Sequence, residues 1–309
     1  MKKNLSILVN SCDLYESAWD PFFKLFAIQW PDCPYDIYLN TETKEYSCGC
    51  VKVTTLPTGE GVPWTARVRR ALKEIDSEYI LFFLEDFFLL EKVDQALFEH
   101  LVDSMDQNPS VGFVFFRPLG ERSTVSHPIN EYLMEIPRQS SYRANACLGL
   151  WRKEFLLQML YEDCDPWTFE HTATKLSRFA DFKCCYVMPK YQPVLSYSLL
   201  LEYGYGITFR KWLGRNKELF EKYGIEVDFD QLGIMEWEPP QPKENKTDKK
   251  KKKRNGPLAK LGQRITRKMK KIKRYFQNER EIAQQKKELE PGFRAHCQRL
   301  KEESEQSSK

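Results

Sequence analysis

Glu85 and Asp86 stand side by side inside residues 79–90 (YILFFLEDFFLL), a run that is otherwise almost wholly apolar. A strand buried on both faces reads as such a continuous run, and open α/β sheets bind ligands beyond the carboxyl ends of their strands. Acids at that edge can be an accident of where a strand stops. Two adjacent carboxylates on an apolar strand, however, repel each other unless a cation or strong donors compensate. Mg²⁺ or Mn²⁺ needs only one or two carboxylates when phosphate oxygens complete its shell, so the pair suits a cation and a phosphorylated ligand.

The helical pattern before that run carries Arg67, Arg69 and Arg70, and arginine is the side chain best shaped for phosphate. Arg67 and Arg70 share a face at i and i+3, which aims one of them at a nucleotide, while Arg69 reads as a solvated cation. Further on, Pro166-Trp167-Thr168-Phe169-Glu170-His171 sets an acid beside aromatic rings. A carboxyl in such surroundings has its pKa raised, which suits a base that takes a proton from a hydroxyl. The same residues also read as a helix start with a buried Trp. Asp163 and Asp165 are alternative bases, and His171 reads as a surface residue. The chain has neither a Walker phosphate loop nor a glycine-rich dinucleotide fingerprint after its first strand, which argues against those nucleotide-binding classes. Tyr203-Gly204-Tyr205-Gly206, near Arg210 and Lys211, is a turn placed to close over a substrate.

What must position these groups is an alternation of strands and helices. Residues 5–10 read as a buried strand ending in Ser11-Cys12-Asp13, residues 19–29 as a helix opened by Asp20 and Pro21, and residues 35–39 and 51–56 as strands. A helix over 64–75 leads into the acidic run, followed by a helix over 93–107 and a strand over 111–117. Strand, helix and strand in this order predict parallel pairing with right-handed crossovers. Beyond Pro118 the pattern is irregular to Tyr142, with loop or short edge strands. Strands then follow at 144–151, 184–188 and 194–199, with helices at 153–161, 172–179 and 211–223. The predicted fold class is α/β, a Rossmann-type three-layer sandwich with a mostly parallel central sheet and a basic helical tail.

At 41% hydrophobic over 309 residues the chain can bury a full-sized core, and its net charge of +4 hides a division. Residues 243–274 hold 16 Lys/Arg against two Asp/Glu, so the body before them is acidic. Pro-rich residues 238–242 and five lysines at 249–253 read as a linker, and the lysine run alone as a solvated charge run. Leu258, Leu261, Ile265, Met269, Ile272 and Phe276 then recur every three or four residues among Lys and Arg, the pattern of a basic amphipathic helix. Such a helix suits an anionic membrane surface. Nucleic acid is not the expected partner, because stacking aromatics in the tail are limited to Tyr275, Phe276 and Phe293. The division expected is a domain over 1–237, a linker over 238–257 and a tail over 258–309. No apolar run is long enough to cross a bilayer. Nine cysteines, odd in number and without a CxxC pair, and no secretory signal point to reduced thiols in the cytoplasm, peripheral at the inner face of the membrane.

The acidic run, NACLGLWRKEFLLQML (145–160) and DPWTFE (165–170), in that order, together resemble the GT-A-fold glycosyltransferases of bacterial capsular and lipopolysaccharide assembly. The resemblance covers roughly residues 4–235. It implies transfer of a sugar from a nucleotide donor, usually a UDP-sugar, to a glycan or lipid-linked glycan acceptor, with Mg²⁺ or Mn²⁺ at a DXD-type motif. On this chain Asp86 takes the metal-ligand place, Glu85 the neighbouring donor contact, and Glu170 the acceptor-activating base, which favours inverting direct displacement. Asn10, Ser11 and Asp13 match the family's contacts to the nucleotide base and ribose, Asn40 or Glu42 can add to them, and Arg67 or Arg70 reaches the donor. The motif departs from a strict D-x-D, since Phe87 and Phe88 follow Asp86. A catalytically inactive GT-A-like scaffold at the membrane is the alternative reading.

Overall fold

Alternation along the first strands decides which helices cover which face. Ile7 and Val9 of β1 (Leu5–Asn10) and Leu81 and Phe83 of β4 (Tyr79–Leu84) face one side. There they meet the apolar stripes of α1 (Trp19–Gln29) and α3 (Gln95–Asp106). Leu8, Ile80 and Phe82 face the other side, against α2 (Trp64–Glu74), α4 (Lys153–Met159) and α5 (Pro166–Leu176). This is the period-2 pattern of strands buried on both faces. The computed structural model describes residues 4–116, 127–198, 205–236 and 257–307.

The remaining strands of the large sheet are β2 (Asp36–Thr41), β3 (Val53–Pro57), β5 (Val111–Phe115), β6 (Leu133–Glu135), β7 (Gly149–Arg152) and β8 (Lys183–Val187). Their order is β3-β2-β1-β4-β7-β5-β8-β6. The first four strands are mutually parallel, β7 runs antiparallel between β4 and β5, and β6 runs antiparallel at the edge. The chain is thus the α/β sandwich that the strand and helix pattern predicts. Its order reverses direction between β1 and β4, and that switch point is where open sheets of this kind present a ligand crevice.

Several boundaries differ from expectation, each for a local reason. β4 stops at Leu84, so Glu85 and Asp86 lie in the turn after the strand, and Phe87 and Phe88 belong to the core below it. α5 begins at Pro166, not at Thr172, because Asp165 caps it and Pro166 is fixed for a first turn. Of the expected strand over 194–199, Val194 and Leu195 end a 3-10 segment, Pro189–Leu195, Tyr197 makes an isolated antiparallel bridge to Leu89, and residue 199 lies outside the described residues. The expected helix over 211–223 shrinks to α6 (Asn216–Lys222). Its first residues form β10 (Lys211–Leu213), which pairs with β9 (Ile207–Thr208) and β11 (Ile234–Met235) in a small second sheet.

The last element, α7 (Pro257–Ser307), is 51 residues long, about 76 Å at 1.5 Å per residue. Its second half is part of the body and not a free tail. Phe293 is fully buried with α4 and α5, Arg294 pairs with Asp181, and Gly292 lies against Tyr161, where a Cβ would stand 2.6 Å from the phenol oxygen. The linker at 238–256 and the side chains of the basic stripe at 258–276 lie outside the described residues.

Candidate functional site

The carboxyl edge of the sheet gathers the chemistry. Asn10 ends β1, Asn40 and Thr41 end β2, Thr58 follows β3, and Glu85 and Asp86 follow β4. β7 enters from this same edge, with Gly149 opposite Phe82, so the segment before it lies beyond the end of β4. Glu170 holds that segment by accepting from the Ala146 amide at 3.0 Å. Rings tie the two sides together: Trp64 at the start of α2 lies 6.0 Å from Phe82 and 5.3 Å from Phe169.

Glu85 and Asp86 are 6% and 7% exposed. Burial, and then the charge of Asp86, push the Glu85 carboxyl well above the usual carboxylate range, against the opposing pull of its own amide, Ser11 and Arg67. Burial likewise raises Asp86 to about 6, although the Ile207 amide donates to its Oδ2 at 3.1 Å. The acid pair therefore stores unfavourable electrostatics that a cation would relieve. The turn bearing it is fastened from above: Ser198 Oγ accepts from the Phe88 amide at 3.2 Å, and Gly206 donates to the Asp86 carbonyl at 3.1 Å.

Around the pair, Arg67 is 5% exposed and donates from Nη1 to the Ser11 carbonyl at 2.8 Å, while its Nε has no partner among the described residues. Ser11 Oγ in turn accepts from Trp19 Nε1 at 2.7 Å. Asn10, 1% exposed, accepts from Asn40 Nδ2 at 3.0 Å, and Thr58 Oγ1 donates to Asn40 Oδ1 at 2.7 Å; Asn10 Nδ2 is left without a described partner. A buried donor without an acceptor costs stability unless a ligand supplies one.

Other expected site residues are turned to structural work. The Asp13 carboxylate accepts from the Thr43 hydroxyl and from the amides of Glu42, Thr43 and Lys44. Burial pushes its pKa up, but these donors together hold it below the ordinary value. Asp13 thus locks the loop after β2, and Glu42 answers by accepting from the Asp13 amide. Arg70 is exposed and donates to the Thr58 carbonyl at 2.6 Å, so of the two arginines on that face Arg67 is the one beside the acids. Arg69 is not a solvated cation: it donates to the Leu160 carbonyl and pairs with Asp163. Asp165 is spent as the N-cap of α5. That leaves Glu170 as the carboxylate with a raised pKa in this motif, lifted by burial against the Ala146 amide and His171.

Tyr15 was not singled out in the sequence, and Cys12 and Arg210 were named there only beside other candidates. Tyr15 and Cys12 lie near the acids, and burial followed by the Glu85 charge raises the Tyr15 phenol to about 12 and the Cys12 thiol to about 11. Arg210 opposes that shift at Tyr15, which puts a cation near this phenol. The signal available for it was the glycine-aromatic turn at 203–206, part of which, 203–204, lies outside the described residues. Among the described residues, no group of three or more His, Cys, Asp or Glu side chains gathers to hold a metal. Glu85 and Asp86 could offer at most two carboxylates to Mg²⁺ or Mn²⁺, whose remaining shell phosphate and water would have to fill. No helix among the described residues is long and apolar enough to cross a membrane.

No family model and no curated protein sequence matches the chain. Among solved structures it is similar to S. aureus TarS 1–349 in complex with UDP-GlcNAc, at 14% identity and a TM-score of 0.41, covering 63% of this chain and 57% of that one. The same protein in complex with UDP gives 14% identity and a TM-score of 0.42, covering 63% and 59%. The chain thus spans less than two thirds of the length of the structures it matches.

Proposed function

We propose that the protein is a glycosyltransferase that moves a sugar from a UDP-sugar to a hydroxyl of a glycan or lipid-linked glycan, with inversion. The observation that carries this reading is the buried Glu85–Asp86 pair at the switch point of the sheet, with Arg67 beside it, while Glu170 on α5 holds the segment that lies beyond the end of β4. Asp86, helped by Glu85, would hold Mg²⁺ or Mn²⁺, and the bound ion would offset the charge of a departing diphosphate. Arg67 and Arg210 add fixed positive charge for the same diphosphate. Asn10 and Ser11 line the position of the nucleoside, Asn10 offering its unpaired Nδ2. Glu170, with a raised pKa, takes the proton from the acceptor hydroxyl as it attacks the anomeric carbon from the side opposite the diphosphate.

The basic first half of α7 supports a peripheral position on an anionic membrane at its cytoplasmic face, where lipid-linked acceptors reside. The test is turnover. Purified protein with Mn²⁺ and a panel of UDP-sugars is expected to release UDP, slowly by hydrolysis and faster with an acceptor. Absence of UDP release from every donor, or release unchanged in Asp86→Ala, would reject the assignment and favour an inactive scaffold.

A further inference from the structure

Large apolar side chains exposed among the described residues are Leu14, Tyr142, Trp167, Tyr205 and Phe209, and their segments all meet the carboxyl edge of the sheet. Two of them flank Glu170. Trp167 is 72% exposed in the first turn of α5, and its backbone is fixed there because Asp165 accepts from the amides of Trp167 and Thr168 at 2.9 and 3.0 Å. Trp167, Glu170 and His171 stand at i, i+3 and i+4, on one face of the helix. Across from them Tyr142 is 52% exposed, its ring 5.8 Å from that of His171. Tyr142 also holds a φ of 52°, a left-handed conformation that costs a bulky residue on the order of 1–3 kcal/mol and persists where surroundings enforce it, as at ligand clamps. The surroundings here are the 142–147 turn, in which Asn145 Nδ2 donates to the Tyr142 carbonyl and Glu170 accepts from Ala146.

We propose that Trp167, Tyr142 and His171 form a stacking platform for a neutral pyranose ring of the acceptor, holding one of its hydroxyls within reach of Glu170. The proposal rests on the glycosyltransferase reading of Glu170. A pyranose has a flat face of C–H groups that covers an aromatic ring and a rim of hydroxyls that need acceptors, and rigid Trp and Tyr rings beside a carboxylate meet both needs. A lipid surface is the poorer match, because Glu162, Asp163 and Asp165 stand exposed beside Trp167 and would repel anionic headgroups.

The experiment is calorimetric titration of the full chain with chitotetraose, cellotetraose and maltotetraose without nucleotide, with UDP plus Mn²⁺ titrated separately and vesicle sedimentation alongside. At least one tetrasaccharide is expected to bind. Trp167→Ala should weaken it by about tenfold or more, and Trp167→Phe by less than about threefold, since the ring carries the contact. UDP affinity should be unchanged in both variants. Equal tetrasaccharide binding by Trp167→Ala, no binding of any tetrasaccharide to a protein that binds UDP, or a loss confined to vesicle binding would each overturn the platform. Trp167-dependent tetrasaccharide binding in a protein that ignores UDP would keep the platform and reject the donor reading.

Discussion

Glu85, Asp86 and Glu170 show how far single residues can be read from sequence. Two acids inside an apolar run announce themselves, because a core tolerates them only with a purpose, and an acid beside Trp and Phe announces a raised pKa. Asp13 and Arg70 could not be separated from the other candidates by type or spacing, since only the folded loops show that Asp13 is filled by four donors and Arg70 by a carbonyl. Glu170 yields a signed prediction. A base must be ionised to act, and burial raises its folded pKa, so the acid limb of the transfer rate should lie above the ordinary glutamate range. Glu170→Gln should lose about 10²–10⁴-fold in rate together with that limb. The folded state also holds this proton to higher pH than the unfolded chain does. Wild-type stability should therefore fall relative to Glu170→Gln as pH rises from the unfolded pKa through the folded one, readable in paired urea melts.

At the scale of elements, local signals placed β1 and α1 at their observed bounds and α2 within a residue, because helical spacing and apolar runs agree there, although Asp20 lies inside α1 and neither helix has a side-chain cap. They failed for residues 211–213, where tertiary pairing overrides a helical pattern. The β9–β10 turn carries φ values of 50° at Phe209 and 62° at Arg210, which two-residue hairpins demand and which neither residue advertises. This hairpin sits on the acid turn without clearance. A Cβ at Gly206 would stand 2.4 Å from Phe88 Cε2 and 3.0 Å from Asp86 Cβ. Gly206→Ala should thus cost about 1–3 kcal/mol of stability and lower UDP affinity by displacing Asp86. An urea midpoint equal to wild type would show that the hairpin is not fastened as described.

Across the whole molecule, the sequence divides an acidic body from a basic tail, and it gives no sign that Phe293, beyond the apolar stripe at 258–276, packs with α4 and α5. Phe293 closes the core formed by α4 and α5, and Phe293→Ala should cost about 3–5 kcal/mol in chemical unfolding. The first half of α7 is proposed to meet an anionic membrane. Replacing Lys270, Lys271, Lys273 and Arg274 with Gln should weaken sedimentation with phosphatidylserine vesicles by about 1 kcal/mol per charge removed, leaving the melting temperature unchanged. The proposed donor site lies at the sheet's switch point, and the direct test of it is thermal unfolding with UDP and Mn²⁺. At a hundredfold excess over Kd, UDP should stabilise the wild-type chain by about 2.7 kcal/mol, a rise of several degrees, and should leave Asp86→Ala unmoved. No rise in the wild-type protein, or an equal rise in Asp86→Ala, would contradict a nucleotide-sugar site built on this acid pair.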